Sequence, residues 1–110
     1  MIPKENLYRN PAITEAANGA PCANCGTEDG TIVWAHSNMG IHGKGKSMKA
    51  HDCLGAELCV KCHAWLDQGA GFDPTNLYCG TRPEKEEMFR RAMERTLLRR
   101  FRLGVYRVAA

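Results

Sequence analysis

Two cysteine pairs, two histidines and one aspartate are the residues of this chain whose types and spacing could do chemistry. Cys22-x-x-Cys25 and Cys59-x-x-Cys62 are separated by residues 26–58. Each C-x-x-C turn offers two thiolates from one side, and two such turns supply the four soft ligands of a tetrahedral zinc site. His63 directly follows the second pair and precedes Asp67 by four residues. On a helix, positions i and i+4 share a face, so His63 and Asp67 can grip one cation. An imidazole with a carboxylate suits Mg2+, Mn2+ or Zn2+, with positions left for water and a phosphate. His36 lies between the cysteine pairs, free to take a proton from water.

The run CVKCH at residues 59–63 is also the attachment signature of a c-type haem. That reading needs the same two sulfurs that a zinc site would use. Iron in the same four-sulfur cage, or disulfides in an oxidising compartment, are further alternatives. Cys53 and Cys79 lie outside the pattern and read as buried or free thiols.

These groups need elements to hold them. Residues 31–35 (TIVWA) are rich in β-branched and aromatic side chains and predict a strand that delivers His36 at its end. Residues 37–51 contain Gly40, Gly43 and Gly45, show no periodicity and predict a loop. Residues 54–66 hold the second cysteine pair and then a short helix opening near His63. A helical turn or two is expected around residues 12–17, after Asn10-Pro11. The clearest helix spans about residues 82–103. Thr81 and Glu84 have capping-box spacing. Met88, Phe89, Ala92, Met93, Thr96, Leu97 and Phe101 then form an apolar stripe, and Gly104 is a natural stop.

A chain of 110 residues has room for one domain, 1–110, whose core is small enough to benefit from a metal staple. Closing such a site can supply on the order of 10 kcal/mol of folding free energy. Met1-Ile2-Pro3-Lys4 leads into polar sequence rather than an apolar signal segment, and no apolar run approaches a membrane span. The expectation is a cytoplasmic protein with reduced thiols and no membrane partner. The net charge is +3, unevenly placed. Residues 83–110 carry Lys85 and seven arginines against four glutamates, and the 37–51 loop carries Lys44, Lys46 and Lys49. Such a split basic footprint suits a polyanion such as DNA, although a solvated helix face beside a flexible loop would look the same. The helix dipole also favours arginines at the C-terminal end.

The order of parts is a knuckle, a strand ending in histidine, a Gly/Lys loop, a second knuckle and a helix opening with histidine. This resembles the HNH nucleases, also called His-Me finger or ββα-metal nucleases. More specifically, it looks like the small phage and prophage members related to the RecA-dependent nuclease of a temperate phage. The motifs are CANC, VWAHSNMGIHGKGKSMKAHD and ELCVKCHAWLD, within about residues 15–70. The resemblance implies a small zinc-stabilised α+β domain with a ββα-metal core and a C-terminal amphipathic helix. It implies a metal-dependent DNA endonuclease acting in recombination or DNA processing in a host cytoplasm, with DNA and a host or phage recombination protein as partners. His36 sits where the superfamily places its general base. His63 matches the metal-ligand histidine, and Asp67 stands where many members carry their last histidine. Cys22, Cys25, Cys59 and Cys62 would hold the structural zinc. Two positions depart from the pattern. Ala35 stands where many members have a further ligand, and Leu54 where the middle asparagine falls. Asp52 is the nearest polar side chain, able to orient His36 or hold metal through water. Lys44, Lys46, Lys49, Arg91, Arg95 and Arg99 would hold the DNA backbone without reading sequence.

Blander roles exist for the same residues. His36 could cap a strand, Asp52 could be a helix N-cap and Asp67 an exposed helix carboxylate. His42 and His51 read as loop histidines, and Trp34 and Trp65 as core. A non-catalytic zinc-knuckle module binding nucleic acid or protein is the competing function, with a redox protein a distant third.

Overall fold

The structure, a computed structural model, describes residues 7–45, 48–67 and 80–109. Lys46 and Cys79 lie outside them. The described elements are α1 (Pro11–Glu15), β1 (Val33–His36), a 3₁₀ turn (Gly40–His42), β2 (Gly55–Leu58), α2 (Val60–Asp67) and α3 (Arg82–Arg102). The result is a small α+β arrangement: a two-stranded antiparallel sheet with three helices against it.

Local chemistry explains where most elements start. Asn10 caps α1 by accepting from the Ala12 N–H, and Pro11 occupies the first turn. Thr81 and Glu84 form the reciprocal capping box expected for α3. Beyond the end of α3, Gly104 takes φ +75°, a left-handed conformation that glycine adopts without strain. The strand expected at 31–35 begins two residues later. Thr31 instead turns its hydroxyl to the start of α2, accepting from the Val60 N–H at 3.0 Å.

The second strand carries little intrinsic β preference, since its residues are Gly-Ala-Glu-Leu. It is a strand because everything around it pairs with it. On one side it is in register with β1, His36 opposite Gly55 and Trp34 opposite Glu57. On the other side, the Glu57 N–H donates to the Thr96 hydroxyl of α3 at 3.1 Å, and the Glu57 carbonyl accepts from the Ala23 N–H at 2.7 Å. The sheet edge is thus covered by a helix and by the first cysteine knuckle, and all four β2 residues are buried. Gly55 is required for packing: a Cβ there would lie 2.5 Å from Trp34 Cε2.

The core gathers Ile32, Trp34, Ala35, Ala56, Leu58, Leu66, Phe89 and Ala92 with Cys22 and Cys59. The inward stripe of α3 is Lys85, Phe89, Ala92, Thr96 and Arg100. Phe101, expected on that stripe, is half exposed, and Arg100 is fully buried in its stead. The cause is Glu57, whose buried carboxylate needs a cation. Arg100 Nε approaches it at 3.0 Å while its guanidinium carbon stacks 4.4 Å from the Trp34 ring centroid. No helix among the described residues is long and apolar enough to cross a membrane.

Candidate metal centre and polar site

The two knuckles converge. The sulfurs of Cys22, Cys25, Cys59 and Cys62 all lie within 4.8 Å of one another. A tetrahedral zinc with 2.3 Å arms has sulfur–sulfur edges of about 3.8 Å, and Cys25 Sγ lies 3.7 Å from Cys59 Sγ. The first knuckle is shaped by hydrogen bonds from the Gly26 N–H to the Cys22 carbonyl and from the Cys22 N–H to the Thr27 carbonyl, both 2.9 Å, with Gly26 at φ +80°. The second is set by β2, which ends at Leu58, and by α2, whose His63 N–H donates to the Cys59 carbonyl at 2.9 Å. Burial raises the Cys22 thiol, but N–H groups of Cys25, Cys59 and Asn24 outweigh it and draw the group down to about 7. Burial pushes the Cys62 thiol up, against a hydrogen bond from the Asn24 side chain to its sulfur at 3.3 Å. Four sulfurs gathered within 4.8 Å of one another can hold a metal ion, and the donor set is consistent with structural zinc. Exposed Cys53 stands apart from the cluster.

The chain direction brings the polar residues to the opposite end of the sheet. From Gly55, beside His36, β2 runs away to the cysteines, and α2 then turns back. Asp67 at the end of α2 returns to the His36 end, where Asn38 Nδ2 donates to its Oδ1 at 3.0 Å. Asp67 Oδ2 is 3.1 Å from His63 Nε2, one helical turn earlier. His36, at the end of β1, places Nε2 2.8 Å from Asp52 Oδ1. Asp52 is buried, and the Asn10 N–H donates to its Oδ2 at 2.6 Å. Burial alone would raise the Asp52 carboxyl. The His36 hydrogen bond, the Asn10 N–H and the charges of His36 and Arg9 together hold it below its ordinary value.

An ionised Asp52 can only accept, so a neutral His36 carries its proton on Nε2. Nδ1 has no hydrogen-bond partner among the described residues and is the nitrogen able to take a proton from water. His63 and Asp67 offer one nitrogen and one oxygen donor on partly exposed side chains, a donor set that fits Mg2+, Mn2+ or Zn2+ with further positions open. Among the described residues, only the four cysteines form a group of three or more ligand-type side chains.

The basic residues separate. Lys44 reaches the Gly45 carbonyl at 3.2 Å, and Lys49 is exposed. Arg91 pairs with Glu87 and Arg95 with the Ala23 carbonyl, both on an exposed face of α3. Arg99 makes a two-pronged contact with buried Glu57 at 3.0 and 2.9 Å. His42 Nδ1 meets the buried Ser37 hydroxyl at 2.5 Å, and His51 Nδ1 accepts from the Tyr8 N–H at 2.9 Å. Three participants carried no sequence signal of their role: Asn38, two residues beyond His36, and Arg9 and Asn10, far from Asp52 along the chain.

In comparisons with known proteins, no family model, no curated protein and no solved structure matches this chain.

Proposed function

We propose that this chain is a metal-dependent DNA endonuclease of the HNH type, of phage origin, hydrolysing phosphodiester bonds in recombination or DNA processing. The observation that carries this reading is the His36–Asp52 pair: a buried carboxylate 2.8 Å from one ring nitrogen of a strand-end histidine whose other nitrogen is unpartnered among the described residues. A buried carboxylate is costly unless it serves its partners. Here it fixes the imidazole tautomer and stabilises the imidazolium that forms on proton uptake.

In this reading His36 Nδ1 takes a proton from water as the water oxygen bonds to phosphorus. The bond from phosphorus to the 3′ oxygen breaks, and that oxygen takes a proton from solvent. His63 and Asp67 would hold a divalent cation, Mg2+, Mn2+ or Zn2+, which when bound offsets charge on the phosphate and the leaving oxygen. Asn38 orients the Asp67 carboxylate. The four cysteines would hold zinc, whose role is to join the two knuckles and so fix α2 against the sheet. Lys44, Lys46, Lys49, Arg91 and Arg95 are the cations offered to the DNA backbone. Arg99 is engaged with Glu57.

A second reading, a non-catalytic zinc-knuckle module, draws on one observation. His63 and Asp67 bond each other, and no third ligand-type side chain joins them among the described residues. Plasmid nicking with Mg2+ or Mn2+ separates the two. The nuclease reading expects nicking by the wild type and a loss of about 10²–10⁴-fold in His36→Ala, with DNA binding retained. Wild-type protein that binds DNA and never nicks it with any divalent metal supports the binding module.

A further inference from the structure

We infer that residues 8–10 form a strap that positions the His36–Asp52 pair, with Arg9 as the positioning residue. This inference rests on the endonuclease reading for its catalytic consequence, though not for its structural one.

The strap lies along residues 49–52 and holds Asp52 by backbone and side chain together. The Asp52 N–H donates to the Tyr8 carbonyl at 2.8 Å, and the Asn10 N–H returns a bond to Asp52 Oδ2 at 2.6 Å. Arg9 completes the hold. Its Nη2 donates to the Lys49 carbonyl at 2.8 Å, and its Nη1 donates to the Ala50 carbonyl and lies 3.4 Å from Asp52 Oδ1. Tyr8 extends the contact through its N–H to His51 Nδ1, and the His51 N–H donates to the His42 carbonyl at 3.1 Å. His42 in turn meets Ser37, the residue after His36.

The geometry shows why this matters at His36. A carboxylate held only by an imidazole can rotate about its own axis, carrying the imidazole's partner atom with it. Asn10 on Oδ2 and Arg9 beside Oδ1 fix the plane of the Asp52 carboxylate and so the direction from which Oδ1 meets His36 Nε2. Apart from His36, the groups that hold the Asp52 carboxylate, Asn10 and Arg9, lie outside the 37–51 segment that precedes it, and they supply its rigidity. The strap supplies it from outside, through the fork of an arginine whose planar donors suit several acceptors at once. The functional pair therefore depends on a segment more than forty positions away from Asp52 in sequence, as the hydrogen bonds themselves show.

The test uses the full zinc-loaded chain, labelled with 15N in its histidines, and reads the His36 tautomer by long-range proton–nitrogen correlation at a pH where the imidazoles are neutral. The wild type is expected to show the Nε2–H form. In Arg9→Ala that form gives way to a mixture, and kcat for plasmid nicking falls about tenfold with KM for DNA little changed. Arg9→Lys keeps the charge but loses the fork, and gives a smaller change in the same direction; it carries the test should Arg9→Ala fail to retain its zinc. An unchanged His36 spectrum with unchanged kcat in both variants overturns the strap. So does a rise in KM alone, which would make Arg9 a DNA contact. A tautomer change in a protein that never nicks DNA keeps the strap and removes the endonuclease reading. Nicking that is indifferent to Arg9 does the reverse.

Discussion

Arg100 Nε lies 3.0 Å from Glu57 Oε2, and both side chains are fully buried. The pair joins α3 to the middle of β2, and Arg100 also donates to the Ile13 carbonyl at 2.9 Å and to the Tyr106 hydroxyl at 2.8 Å. Removing Glu57 leaves Arg100 without an anionic partner in a buried site, whereas removing Arg100 leaves Glu57 still paired with Arg99. Glu57→Ala should cost about 3–5 kcal/mol and Arg100→Ala less, since Arg99 still faces Glu57, whereas replacing Glu57 and Arg100 with Leu and Met should recover much of the loss. Urea unfolding of the metal-loaded protein measures all three. A loss below about 1 kcal/mol in both single variants would show that the pair is not the clasp between sheet and helix.

The four-cysteine cluster predicts that metal and fold are inseparable. One tightly held zinc per chain is expected, and its removal by a strong chelator should abolish cooperative thermal unfolding, because closing such a site contributes on the order of 10 kcal/mol. Cys25→Ser should lower zinc content and stability together, while Cys53→Ser, outside the cluster, should change neither. Atomic absorption and a thermal melt on the same samples check this. A stable, cooperatively melting apo protein would remove the staple role.

Asp52 gives a pH signature. Its partners hold the folded-state carboxyl below the ordinary value of 3.8. A group with a depressed folded pKa stabilises the fold above its unfolded pKa, and that contribution disappears as pH falls through the folded value. Melting temperature should therefore drop more steeply from about pH 5 to about pH 2 in the wild type than in Asp52→Asn, which has no such carboxylate. The two proteins lose cysteine-bound metal over the same range, so the difference between the curves isolates Asp52. Parallel curves would mean that the Asp52 contacts do not favour the charged form.

Local signals carried much of the architecture, and non-local ones did not. Both knuckles, the Asn10 and Thr81 caps and the extent of α3 are written in neighbouring residues, so the sequence alone locates them. β2 was not legible, because Gly-Ala-Glu-Leu becomes a strand only through β1, Thr96 and Ala23. Hydrophobic periodicity put Phe101 inward and could not put Arg100 there, since a buried arginine makes sense only once Glu57 is known to face it. The nearness of His63 to Asp67 follows from helical spacing. The Asn38 contact with Asp67 and the hold of Arg9 and Asn10 on Asp52 come from tertiary folding, for which residue spacing gives no hint.

The Asn38–Asp67 contact separates an ordinary helix-surface ion pair from a cation grip. Asp67 is half exposed and His63 partly so; as a bare surface pair they should contribute little to stability. Ligating carboxylates, however, are held by outer partners whose loss typically lowers metal affinity or activity about 10–100-fold. If His63 and Asp67 bind the catalytic cation, Mn2+ should broaden the His63 ring resonances at lower concentration than those of His42 or His51. Asn38→Ala should then raise the Mn2+ needed for broadening and for nicking by about tenfold or more, with cysteine-bound zinc and melting temperature almost unchanged. Uniform broadening of all the histidines, or an Asn38→Ala variant that titrates like the wild type, would reduce the pair to a helix-surface contact and send the search for the cation elsewhere around His36.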